Sequence, residues 1–464
     1  MRNWPLIVVV LIVPMNLACG QESQTRADFR GEATRFKKSC TDFSLKAIPG
    51  CAELLFTDHP LHIAVGSIAP QNGFGVGGAF VGHWTPNELW RTSWDADAIV
   101  SGQGAWRAGA YFKAIHTPIE KIKVVTTSTG PPAHSNLSVH PYTVFNLYAQ
   151  SILLNKLFFY GLGQNSLRAN SSVFGMQQTI IGANAIVPVL RSLNISLLGE
   201  VNGRFVDLRQ NHHESTPSIE QIFTESSAPG LKSQPAFIQA GEGVRLEPAL
   251  FANHLQLDYL AQFQQFVAPS DSHYSFRRFT TDLNHTIPLY RNSGSYGPKD
   301  TNGPDECAVA LGATKCPAIQ RNREGSVGIR LLITESFASA GSVVPFYFQP
   351  TLGGSDMNGN AWLASYNDYR FRAPSALLLR ESFEHSIWGP VGLAFSADQG
   401  KVALSRGDIA FNHLAHSFTA GLTLRAGGLP AISLAFAWAG PEATHTIAAI
   451  NTSLMGGSAR PPLF

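Results

Sequence analysis

The run Ser93-Trp94-Asp95-Ala96-Asp97-Ala98-Ile99-Val100-Ser101-Gly102-Gln103-Gly104-Ala105-Trp106-Arg107-Ala108-Gly109-Ala110-Tyr111-Phe112-Lys113 alternates almost without a break. Trp94, Ala96, Ala98 and Val100 fall on one side of an extended chain. Ser93, Asp95, Asp97 and Ile99 fall on the other, because successive strand side chains point to opposite faces. Gly102-Gln103-Gly104 turns the chain. On the return strand Trp106, Ala108, Ala110 and Phe112 share one face, with Arg107, Gly109, Tyr111 and Lys113 opposite. The segment predicts a hairpin with one apolar and one polar face. A two-sheet sandwich would show the same alternation.

Length separates the two. Working outward, Leu255, Leu257, Tyr259, Ala261 and Phe263 alternate with Gln256, Asp258, Leu260, Gln262 and Gln264. From position 59 onward such segments recur, and we count roughly 16 to 18 of about 10 residues, the length that crosses a bilayer at a tilt. Sandwich strands are shorter, about 5 to 6 residues. The expected fold is therefore all-β: a transmembrane antiparallel β-barrel of about 16 strands, one face toward lipid and the other toward a wet lumen.

Composition agrees. Charged residues make up 14% of the 464 residues, against about 25% in soluble proteins. Hydrophobic content is an ordinary 44% and the net charge is +2. These values exclude an intrinsically disordered chain and give no electrostatic basis for a nucleic-acid partner. After the N-terminus no apolar run approaches the length of a transmembrane helix.

Residues 1–20 read as a secretory signal. Arg2 is followed by the apolar run Leu6 to Val13, and Ala18-Cys19-Gly20 offers a cleavage site before Gln21. Cys19 also fits part of a lipoprotein signal, although Asn16 departs from it. A polar arm occupies 21–58, and the barrel is expected over 59–464. Export permits disulfides, and sequence proximity pairs Cys40 with Cys51 and Cys307 with Cys316. Polar insertions at about 208–233 and 292–325 read as extracellular loops.

Motifs for chemistry are weak. Gly73-Phe74-Gly75-Val76-Gly77-Gly78 matches a dinucleotide-binding pattern, but a helix would have to follow, and Ala79 to Trp84 alternates instead. His212-His213-Glu214, and His413 with His416, lack metal-ligand spacing. No catalytic residue, metal or cofactor is expected, and the chain does not read as an enzyme.

The C-terminal third carries a resemblance. Thr351-Leu352-Gly353-Gly354, Leu363-Ala364-Ser365-Tyr366 and Tyr369-Arg370-Phe371-Arg372 precede a strand ending Arg380-Glu381-Ser382-Phe383-Glu384. Gly392 to Val402 follows, with Asp398 and Gly400, and then three strands at about 415–427, 430–439 and 445–455. This order resembles the barrel end of the bacterial surface antigen superfamily, the BamA- and TamA-like barrels. The resemblance implies a sixteen-stranded barrel in the bacterial outer membrane with an inward-folded loop. It implies outer-membrane lipid as surroundings, with barrel-assembly machinery or client outer-membrane proteins as partners. The role implied is membrane insertion, translocation or passage through the barrel; a porin-like channel or surface-exposed adhesin is the alternative.

Two departures stand out. Ala364-Ser365-Tyr366 occupies the place of the family's Arg-Gly-aromatic loop motif, leaving Arg370 or Arg372 as substitutes, and Glu381 and Glu384 compete for a strand glutamate. The family's periplasmic POTRA domains do not fit into 21–58. The expected loop and lumen lock comprises Gly353, Gly354, Tyr366, Arg372, Asp398 and Gly400, with Asp398 on the lumen side pairing with the inward loop.

Overall fold

The computed structural model describes residues 61–117, 142–211, 215–251, 254–296, 319–388, 391–426, 429–439 and 444–450, with Arg30, Thr34 and Glu442 as isolated positions. The signal segment, the rest of the arm, Cys40, Cys51, Cys307, Cys316 and His212-His213-Glu214 lie outside the described residues.

The first half of the wall is β1 (Leu61–Ser67), β2 (Phe74–Asn87), β3 (Trp90–Ser101), β4 (Trp106–His116), β5 (Thr143–Phe159), β6 (Ser172–Leu190), β7 (Ile195–Gln210) and β8 (Phe237–Leu246). The two-residue β9 (Ala249–Leu250) follows, then β10 (Leu255–Val267), β11 (Phe276–Tyr296) and β12 (Ile319–Ala338). A long loop carries the small hairpin β13 (Thr351–Leu352) and β14 (Phe371–Arg372). The wall resumes with β15 (Ser375–Trp388), β16 (Val391–Ala403), β17 (Ala415–Ala426), β18 (Leu429–Trp438) and β19 (His445–Ile450).

Each wall strand pairs antiparallel with the next, so the sheet is one continuous meander. Among the described residues it contains seventeen strands. β8 and β9 both pair with β10, and so act as one interrupted strand. Sixteen crossings result, matching the count expected from period-two segments. The two ends of the meander, β1 and β19, lie against each other. The protein is a transmembrane antiparallel β-barrel.

The opening hairpin takes the expected register: Val100 faces Trp106, Ala98 faces Ala108, Ala96 faces Ala110 and Trp94 faces Phe112. Trp94, Ala96, Ala98 and Val100 are exposed, while Asp97 and Ile99 are buried toward the lumen. The Gly-rich pattern is the β1–β2 turn and strand β2. Gly77 sits against the Ala98 carbonyl, where a Cβ would come within 1.8 Å of the oxygen, so close strand approach accounts for that glycine.

The outer face is largely apolar: Val201, Phe205, Ile238, Leu422, Leu434 and Phe436 are all exposed on it, with Glu381 among its few charges. In lipid this face needs no polar partner, because the ladder satisfies the backbone. Leu434→Arg, near the middle of β18, is expected to cost about 2–4 kcal/mol. Urea unfolding from lipid vesicles reads this as a lower midpoint, with a smaller change for the lumen-facing Ser433→Arg.

Two expectations are corrected. Strand parity puts the β7–β8 and β11–β12 connections at opposite ends of the barrel. The insertions at 208–233 and 292–325 therefore cannot both be extracellular. The second begins and ends in strand, since β11 runs to Tyr296 and β12 starts at Ile319. The lumen is also not uniformly wet. Phe159, Phe174, Phe237, Phe266 and Phe276 point inward near one end and form an apolar core with Phe346, Tyr347 and Phe348 from the β12–β15 loop. Alternation identifies which face is inward, but inward aromatics at strand ends announce filling material that the pattern alone does not reveal.

Candidate functional site: a lumen loop clamped to the barrel wall

The loop between β12 and β15, residues 339–374, enters the barrel and is held at two levels. At the first, a single 3-10 turn (Phe346–Phe348) inserts its rings among wall aromatics. The Phe346 ring lies 5.0 Å from that of Phe159 and 5.3 Å from that of Phe174, and Phe348 lies 4.9 Å from Phe237. Arg278 of β11 donates to the Phe348 carbonyl and, at 2.9 Å, to Ser336.

At the second level the loop tip meets charge. Trp362 is buried, and two wall guanidinium groups rest against its ring, Arg380 at 4.4 Å and Arg330 at 4.9 Å from the centroid. Arg330 and Arg380 face each other directly across the β12–β15 ladder. Like charges in that position repel, and each is balanced by its own carboxylate. Arg330 donates twice to Asp282 of β11, at 2.8 and 2.6 Å. Arg380 donates twice to Asp398 of β16, both at 2.6 Å. Such bidentate pairs fix the planes of both partners. The ring face supplies the remaining favourable charge interaction.

The same groups grip the loop backbone. Asp398, with a fully buried side chain, accepts from the Leu363 N–H at 2.9 Å, and Arg380 donates to the Ala361 carbonyl. The Ser365 N–H donates to Ser417 of β17 at 2.9 Å. Acid, cation, indole, cation and acid thus run in sequence across β11, β12, β15 and β16.

Glycines shape the tip. Gly353 (φ +102°) and Gly354 (φ +61°) occupy conformations that side chains resist. Trp362 donates to the Gly354 carbonyl at 3.0 Å, and Gly353 donates to the Trp362 carbonyl at 3.0 Å. A Cβ on Gly354 would come within 2.6 Å of the Asp368 backbone. Gly354→Ala is therefore expected to displace Trp362 and to lower loop stability by about 1–3 kcal/mol, visible as faster protease cleavage within the loop. Gly400 is the matching flat spot on the wall, where a Cβ would lie 3.1 Å from Leu352.

The remaining sequence-derived residues fall nearby, without all joining one cluster. Tyr366 is buried with its ring 5.1 Å from Phe371. Arg372 is buried at the first level, donating to the Phe346 carbonyl at 2.8 Å and lying over the Phe159 and Phe346 rings. Burial pushes its guanidinium down to about 10. Arg370 pairs with Glu442 and donates to Ser166 at 2.8 Å. Among the described residues, the cation beside Asp398 is neither Arg370 nor Arg372 but Arg380, supplied by the wall. Glu381 is exposed and lies on the opposite face of β15 from Arg380. Sequence reasoning singled out neither Arg330 nor Asp282 nor Trp362, and quoted Arg380 without assigning it a role.

The sequence matches no family model and no curated protein. Solved structures do match. CdiB from Escherichia coli aligns with a TM-score of 0.49 at 12% identity, over 85% of this chain and 63% of that one. CdiB from Acinetobacter baumannii gives 0.44 at 10% identity, over 84% and 58%. BamA from Haemophilus ducreyi, in a form lacking POTRA domains 1-3, gives 0.45 at 11% identity, over 84% and 69%. The chain is similar to these barrels in fold. It spans less than two thirds of the length of either CdiB chain.

Proposed function

We propose that this barrel resides in the bacterial outer membrane and passes or inserts polypeptide there, with the loop at 339–374 acting as a releasable plug. The observation that carries this reading is the clamp of Asp282, Arg330, Trp362, Arg380 and Asp398. A barrel built for passive diffusion of small solutes gains nothing from filling its lumen with an apolar loop core. A plug held by a few directional contacts stays shut at rest and yields to a client that competes for the wall. The clients are unfolded outer-membrane or secreted polypeptides, and an assembly machinery would deliver them. The reading assigns no catalytic step and no cofactor.

Single-channel recording in planar bilayers, together with protease protection of an unfolded outer-membrane protein added to proteoliposomes, tests it. Near-silence with brief openings, and client protection that depends on the barrel, are expected. A steady large conductance without client protection would sink the reading in favour of a porin.

A further inference from the structure

The lipid-facing side of β2 to β8 is not smooth. A cavity of about 740 Å³ opens on it, within the roughly 300–1,000 Å³ range of small-molecule sites. Its floor is a row of methyl side chains in register: Ala96 faces Ala110, and Ala110 faces Ala149. One register step toward the β3 start, Trp94, Phe112 and Leu147 form a continuous shelf, with the Trp94 and Phe112 rings 4.5 Å apart. Phe80 continues the floor row at one end, opposite Ala96, and Ile181 at the other, opposite Ala149. From β2 to β6 the row crosses four inter-strand spacings, about 19 Å.

We infer that this groove seats one acyl chain of a phospholipid and retains it as a fixed constituent of the barrel. The surface above and below the groove is the lipid-facing wall itself, so the occupant comes from the bilayer that already covers that wall. The outward side chains lining it are uncharged. Asp95, Tyr111, Tyr148 and Asn202 contribute only from lumen-facing positions, and Tyr111 and Tyr148 bond to Gln150 and Asn202 there. Among the described residues that line the groove, none offers outward the cations that a multiply phosphorylated glycolipid needs close to its chains. A floor one methyl deep beside a single aromatic shelf suits a narrow hydrocarbon chain.

The test uses the full chain, folded in detergent and washed free of bulk lipid, with bound phosphorus and fatty acids measured per barrel. We expect about one phospholipid per barrel in the parent protein and a loss of at least fivefold in Ala110→Phe and Ala149→Leu, which fill the floor. Ala261→Leu, an outward change on β10 away from the groove, should keep the lipid. Gel-shift on heating confirms that every variant is a folded barrel. Equal retention in the filled variants, or none in the parent, overturns the proposal. So does recovery of hydroxylated chains, which marks a glycolipid, or a groove-dependent dimer by light scattering, which marks a second copy as the occupant.

Discussion

Asp398→Ala releases the lumen loop. The carboxylate is fully buried, compensates Arg380 and accepts from the Leu363 backbone. Removing it leaves a largely buried cation and an orphaned amide, a change that costs about 3–5 kcal/mol where a buried pair is broken. The cost falls on loop docking, because β15 and β16 remain paired along their whole shared length. We therefore expect a barrel that still shows a heat-dependent gel shift, with a loop cleaved at least tenfold faster by added protease. Its bilayer conductance rises from near-silence to sustained opening. Asp398→Asn keeps an acceptor for Leu363 and should fall between the two. Protease sensitivity and conductance equal to those of the parent would remove Asp398 from the clamp.

The second large effect belongs to Trp362→Ala. Truncating a buried tryptophan costs about 3–5 kcal/mol in packing and transfer terms. Here it also removes the ring that two facing guanidinium groups share. Sustained conductance is again the expected outcome, and Trp362→Phe should restore most of the closed time, because a smaller ring still attracts both cations. The double variant Asp398→Ala/Trp362→Ala distinguishes a clamp from two separate contacts. Members of one network couple by about 0.5–3 kcal/mol, so the double variant should open the loop little further than either single change. Additive effects would mean that the two residues act independently.

The wall was legible in the sequence because its signal is local. The alternation of Trp94, Ala96, Ala98 and Val100 needs only neighbours to be seen, and the strands expected at 415–427 and 430–439 end within a residue of where the pattern places them. The clamp is not local. Asp282 and Arg330 are 48 residues apart, and Arg330 and Arg380 meet only through the register of the β12–β15 ladder. A single charged residue on an alternating strand looks like any lumen residue until that register is known. Arg370 and Glu442, 72 residues apart, meet between the lumen loop and the β18–β19 turn, and nothing local in the sequence announces that pairing. The loop glycines were conspicuous, as left-handed turns often are. The tryptophan they present was not, because an isolated aromatic in a polar loop has many uses.

That dependence on register carries a consequence for how the barrel matures. A slip of one residue between β12 and β15 would turn either Arg330 or Arg380 outward into lipid, and would carry its carboxylate contact away with it. The indole would then meet one cation, or none. Docking of the loop is therefore a readout of correct wall assembly: a misregistered barrel stays unplugged and open to proteolysis, and only the properly zipped one closes. In this sense the plug serves as an inspection step built into the product that it inspects.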